Sequence, residues 1–386
     1  MAQSIEEQIE TEFVAAVAAG DCARARALLS GSAALREQID APLFHGDSPA
    51  VLAASRARDL PLLKTLIECG ASINARSERW FGGFAVLPCN ADGAGGSPAE
   101  DDAWARTLIR LGARVDIFAA AGHDLTDILT RLLDETGGLI RARGGDGRTA
   151  LHFARSVETC RLLIDRGAEV DARDFYRNST PAQYAIRRPE KARYLLSRRA
   201  QDDLFLAVAL SDEPRVRALL SAHPNLLSTT TSAGPHCPLP APGGHAYVHE
   251  IGEDCLPLHA AARLDLPEMV ALLTGAFQAD PAATGWFDDA TPLHMAAFYD
   301  NAAAAEALLD AGAPIDQRSG AVYQAAPAKW AIQGGAAAAF ETLLRRGAAV
   351  EPDYAAEIQR GRDGQQPHSR APREKWERMR AAVEAA

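Results

Sequence analysis

Six side chains able to ligate a metal stand close together in this 386-residue chain: His223, His236, Cys237, His245, His249 and Cys255. Imidazole and thiolate are the usual zinc ligands, and the His245-x3-His249 spacing sets two rings one helical turn apart. The residues between them argue otherwise. From Ser228 to His249 the chain reads STTTSAGPHCPLPAPGGHAYVH, whose Gly and Pro exclude a regular helix, and the ligand spacings match no established zinc pattern. No resident metal or cofactor is expected. The stretch is long for a structureless connection, so a small-ligand or metal site built on 228–255 stays open as the alternative function.

Catalytic signatures are missing elsewhere. The sequence holds no G-x-S-x-G elbow, no G-x-x-x-x-G-K-[ST] loop and no H-E-x-x-H pair, the arrangements that activate a serine, cradle phosphates or hold a catalytic zinc. Gly144-Gly-Asp-Gly147 lies directly before Thr149-Ala-Leu-His152 with no strand ahead of it, so it reads as a turn and not as a phosphate cradle. No catalytic residue is assigned, and the chain is not expected to be an enzyme.

The elements that position these residues follow from composition and repetition. Hydrophobic residues make up 47% but aromatic ones only 6%, and the excess of Ala and Leu suits closely packed helices more than a sheet. A net charge of −11 opposes the neutralisation of phosphates, so nucleic acid is not an expected partner. No run of about 18 apolar residues occurs, so no membrane span is predicted. The acidic start, with Glu6, Glu7, Glu10 and Glu12, does not read as a secretory leader. Scattered cysteines without paired spacing fit reduced thiols and a cytoplasmic location.

Three strings superimpose: Thr149-Ala-Leu-His-Phe-Ala154, Leu256-Pro-Leu-His-Ala-Ala261 and Thr291-Pro-Leu-His-Met-Ala296. Degenerate copies stand at Ser48-Pro-Ala-Val-Leu-Ala53, Thr180-Pro-Ala-Gln-Tyr-Ala185 and Ala326-Pro-Ala-Lys-Trp-Ala331. Thr or Ser caps a helix start, and Pro fits the first helical position because its missing N–H costs nothing there. His152, His259 and His294 are expected to make backbone hydrogen bonds at these starts. A second helix with a Leu-Leu pair follows, ended by Gly-Ala at 70, 112, 167, 312 and 347, where glycine can take the left-handed conformation.

The order and spacing of string, Leu-Leu helix and Gly-Ala stop resemble the ankyrin-repeat family, whose period of about 33 residues is bracketed by the steps seen here. The resemblance covers roughly residues 10 to 350 and fits a divergent, bacterial member. It implies an all-α ankyrin-repeat solenoid of about ten helix pairs with short β-hairpin fingers. The pairs begin near Thr11, Ser48, Phe81, Val115, Thr149, Thr180, Asp202, Leu256, Thr291 and Ala326. Residues 1–360 form the array, with capping ends and an irregular insertion near 228–255, and Leu87 to Asp101 is a Gly-rich loop. Residues 361–386 form a polar linker and a charged C-terminal helix carrying Trp376 and Met379.

The resemblance also implies a concave recognition face made of fingers and inner helices. The finger positions here are aromatic: Trp80 and Phe81 with Phe84, then Phe175 and Tyr176, Trp286 and Phe287, and Tyr323. Rings at such tips either fold back over the helices or anchor a partner. The function that follows is a non-catalytic scaffold binding a partner protein through Trp80, Phe81, Phe175, Tyr176, Trp286, Phe287 and Tyr323.

Overall fold

In the computed structural model, residues 5–44, 48–77, 87, 98–238, 242–366 and 369–386 are described, with backbone alone at 5, 6, 98 and 99. The chain is all-α. It divides into two compact units, Met1–Phe175 and Tyr176–Ala386. Among the described residues the only β pairing is a set of isolated bridges, such as Gly285 with Ala290, so the described fingers are tight turns more than hairpins.

In the first unit the helix pairs run Ile5–Ala18 with Cys22–Gly31, Ala50–Arg56 with Leu60–Glu68, Ile117–Gly122 with Thr126–Glu135, and Ala150–Phe153 with Val157–Asp165. The first helix starts well before Thr11. Helix Pro98–Arg110 stands where the third pair is expected, while Trp80, Phe81, Phe84 and most of the 87–101 loop lie outside the described residues. Phe13, Leu29, Leu62, Leu63, Leu66 and Leu108 form one fully buried core.

In the second unit the pairs are Pro181–Tyr184 with Pro189–Ser197, Leu204–Ala209 with Glu213–Ala222, Pro257–Arg263 with Pro267–Ala276, Pro292–Phe298 with Ala302–Asp310, and Pro327–Gly334 with Ala337–Arg345. From Leu204–Ala209 onward the first helix of each pair packs on its successor, most closely Pro292–Phe298 against Pro327–Gly334, whereas Pro181–Tyr184 packs on the insertion's helix Ala246–Glu250. The facing alanines explain the fit. Ala260, Ala261, Ala262, Ala296, Ala297 and Ala331 are fully buried, and small side chains let successive backbones approach while burying apolar surface.

Helix starts and stops work as their chemistry dictates. At the strings, backbone N–H of Thr149, Leu256 and Thr291 donates to Nδ1 of His152, His259 and His294 at 3.0, 3.3 and 3.1 Å. Nε2 of His259 and His294 then bonds the carbonyls of Ala290 and Ala325, each at 3.0 Å, so each imidazole ties its own helix to the following finger. Gln183 fills the histidine's place in the degenerate string, its Oε1 accepting from Thr180 N–H at 3.0 Å. The Gly-Ala stops close a two-bond helix ending. At Gly312, φ is 89°, Gly312 N–H bonds Leu309 O at 3.0 Å and Ala313 N–H bonds Leu308 O at 2.9 Å, the 5→2 and 6→1 pattern that satisfies terminal carbonyls.

The insertion departs from expectation. It contains helix Ala246–Glu250, with the His245 side chain accepting from Tyr247 N–H at its start. Gly and Pro do not prevent this because the helix begins only after Gly244 and is held by tertiary contacts. Tyr247 is fully buried and its hydroxyl donates to the Asp203 carboxylate at 2.8 Å. His245 Nε2 bonds Gln183 Oε1 at 3.2 Å.

At the other end, helix Arg373–Ala385 packs on Tyr354–Arg362 and Ala337–Arg345, burying Trp376 and Met379. The terminal helix thus covers the apolar side of the last pair and leaves Glu374, Glu377, Arg378 and Arg380 outward, as the end of a stacked array requires.

Candidate functional site

The second unit holds a cleft of about 550 Å³ between residues 248–254 of the insertion, the finger at 286–288, Arg263 and Tyr299. Trp286 and Phe287, both singled out by sequence, line it. They face opposite ways. Trp286 turns inward onto Trp330, Phe298 and Tyr299, with ring centroids 5.3, 5.9 and 5.7 Å away. Phe287 is 52% exposed and meets Tyr323 edge to face at 5.5 Å. Tyr323 and its neighbour Val322 are exposed too, giving an apolar ledge beside the cleft.

The finger is held in a costly conformation. Trp286 has φ 57° and ψ −168°, a region nearly restricted to glycine that costs about 1–3 kcal/mol for other residues. Asp288 stabilises the tip by accepting from Val322 N–H at 2.9 Å, Tyr323 N–H at 2.8 Å and the Ser319 hydroxyl at 3.0 Å. Partial desolvation opposes ionisation of Asp288, but these donors hold its carboxyl below the usual range. Across the cleft Gly252 lies edge-on to the indole, and a Cβ there would stand 2.6 Å from Trp286 Cδ1.

Arg263 supplies the cleft's cation. Its guanidinium lies 3.6 Å from the centroid of Tyr299. Burial lowers its pKa, helped by Arg187 and opposed by Tyr299 and Glu250. Glu253 and Asp254, which also line the cleft, are exposed.

The other aromatic candidates are placed differently. Phe175 belongs to the first unit, is 67% exposed, and has the Arg143 guanidinium 5.1 Å over its ring. Tyr176 begins the second unit and is half-buried against Gly243, whose N–H bonds the Tyr176 carbonyl at 2.8 Å. The structure therefore brings Trp286, Phe287 and Tyr323 together and sets Tyr176 against Gly243. Sequence reasoning missed Tyr299, Trp330 and Arg263. Their signal was positional: Trp330 follows the Lys of a degenerate string, and Arg263 and Tyr299 end inner helices beside the fingers.

The histidines of the insertion are used internally. His236 and His245 are buried, with rings 4.9 Å apart, and Tyr247 meets the first at a tilt and the second edge to face. Among the described residues no group of three or more His, Cys, Asp or Glu is arranged to hold a metal ion, and burial raises the Cys255 thiol far above its ordinary value.

Residues 117–205 match the family described as Ankyrin repeats (3 copies), and residues 288–320 match that described as Ankyrin repeat. The chain carries ankyrin repeats. Among solved structures, one similar to this ankyrin-repeat chain is the crystal structure of the human ASB11 ankyrin repeat domain, 19% identical, covering 62% of this chain and 100% of that one with a TM-score of 0.39. Comparison with curated proteins returned no match. Ankyrin repeats generally mediate protein–protein interactions, and among the described residues no helix is long and apolar enough to cross a membrane.

Proposed function

We propose that this ankyrin-repeat chain is a non-catalytic scaffold that binds a partner protein in the cytoplasm through its fingers and inner helices. The observation that carries the reading is the ledge of Phe287, Val322 and Tyr323 beside the cleft. Exposed rings on a rigid, strained finger bury much area at little entropy cost when a partner arrives. Trp286, in the wall of the same cleft, belongs to this surface. Phe175 extends the contact set in the first unit, and Tyr176, Trp80 and Phe81 are included from the family resemblance. The five described cysteines are free thiols, in keeping with a reducing compartment.

The reading is tested by site-specific photocrosslinking in source cells. A benzoylphenylalanine at Phe287 or Tyr323 is expected to capture a discrete protein that the same probe at Glu268, exposed on an outer helix, does not. Phe287→Ala/Tyr323→Ala should abolish stable association while leaving the far-ultraviolet circular dichroism unchanged. Identical captures from the finger and outer-helix positions would count against the proposal.

A further inference from the structure

The geometry points to an arginine or lysine side chain of the partner as the group that enters the cleft between 248–254 and 286–288. This inference rests on the reading of that face as the partner surface and adds the chemistry of the contact. Four carboxylates line the cleft, those of Glu250, Glu253, Asp254 and Asp288, against the single guanidinium of Arg263. Three of these charges are already engaged: Asp288 takes three donors from the neighbouring finger, Arg263 lies over Tyr299, and Glu250 interacts with Arg188 and Arg263. Glu253 and Asp254 are not engaged. Both are exposed, and no ion pair recorded among the described residues uses either carboxylate.

The lining then selects among possible occupants. An acidic side chain would meet an excess of like charge, and an aliphatic one would leave the carboxylates with nothing gained for their lost hydration. A guanidinium or ammonium gains charge-assisted hydrogen bonds to Glu253 and Asp254, while its methylene stem lies along the Trp286 and Phe287 rings at the mouth. The flanking ledge of Phe287, Val322 and Tyr323 is apolar and continuous with the cleft through Phe287. It suits a hydrophobic residue near the basic one in the same segment. The chain's net charge of −11 adds long-range attraction for a basic partner.

Trp286 provides a local reporter. In the full chain labelled with 5-fluorotryptophan, the Trp286 resonance is assigned by its loss in Trp286→Phe. The probe is an acetylated, amidated pentapeptide, Gly-Arg-Ala-Leu-Gly, with Lys and Glu replacing Arg in two companions. The Arg and Lys peptides are expected to shift the resonance saturably and less at high salt, and the Glu peptide to leave it in place. Glu253→Gln/Asp254→Asn should weaken the Arg peptide about tenfold or more, whereas Glu158→Gln/Glu268→Gln, exposed acids on outer helices, should not.

No shift with the Arg peptide, an equal shift with the Glu peptide, or equal weakening by both double variants would overturn the inference. If one of these occurs while crosslinking from Phe287 persists, the charge assignment fails and the partner face stands. Loss of both removes the face itself.

Discussion

At the scale of single residues, the string histidines do the most for the least mass. Burial pushes His259 down to about 4, with His294 adding and the Ala290 hydrogen bond opposing. Burial likewise takes His294 to about 4, against its bonds to Ala325 and Gln317 and the charge of Asp288. Nδ1 of each must stay unprotonated to accept the helix-start N–H. The folded values lie below the ordinary 6.5 of the unfolded chain, so the unfolded state binds more protons between pH 6.5 and 4. The stability these rings confer is complete above about 6.5 and is lost as pH falls toward 4. Gln183 shows that an amide serves the same cap without titrating. His294→Gln is therefore expected to cost about 1 kcal/mol or less at neutral pH and to flatten the decline of the urea midpoint between pH 7 and 4.5. An undiminished acid slope in that variant would remove His294 from the account.

At the scale of elements, the same substitution should have opposite signs in two places. Gly312 ends helix Ala302–Asp310 at φ 89°, and alanine there costs about 1–2 kcal/mol. Gly275 lies inside helix Pro267–Ala276 with open space where a Cβ would stand, and alanine there stabilises by about 0.5–1 kcal/mol. Thermal midpoints of Gly312→Ala and Gly275→Ala should move down and up respectively, and a common direction would contradict the helix-stop assignment. Such local rules made the pairs legible in sequence: a cap, a first-turn Pro and a Gly-Ala stop lie within a few residues of the backbone they control. The insertion was opaque for the converse reason. Its helix depends on Tyr247 reaching Asp203 and His245 reaching Gln183, partners 44 and 62 residues away. The candidate site was half legible. Aromatic residues marked the finger, but the inward turn of Trp286 onto Trp330 and the carboxylates brought by the insertion belong to tertiary packing.

At the scale of the whole molecule, a stacked array transmits stability from neighbour to neighbour, and the second unit's C-terminal end tests this. Trp376 is fully buried, donates from Nε1 to Ala371 O at 3.1 Å, and its ring lies against Gly361. Lys375 pairs with Asp300 at 2.7 Å, and Arg378 with Glu341 at 2.6 Å. These partly exposed pairs contribute less than the indole. Trp376→Ala removes that anchor at a cost of about 3–5 kcal/mol. Hydrogen exchange should respond in order of adjacency: protection falls most in 337–362, which the terminal helix touches, less in 292–310, and least in 204–222. Protection lost evenly across Tyr176–Ala386 would show instead that the unit melts as one cooperative body, and the terminal helix would then be an integral part of its core with an influence reaching the cleft.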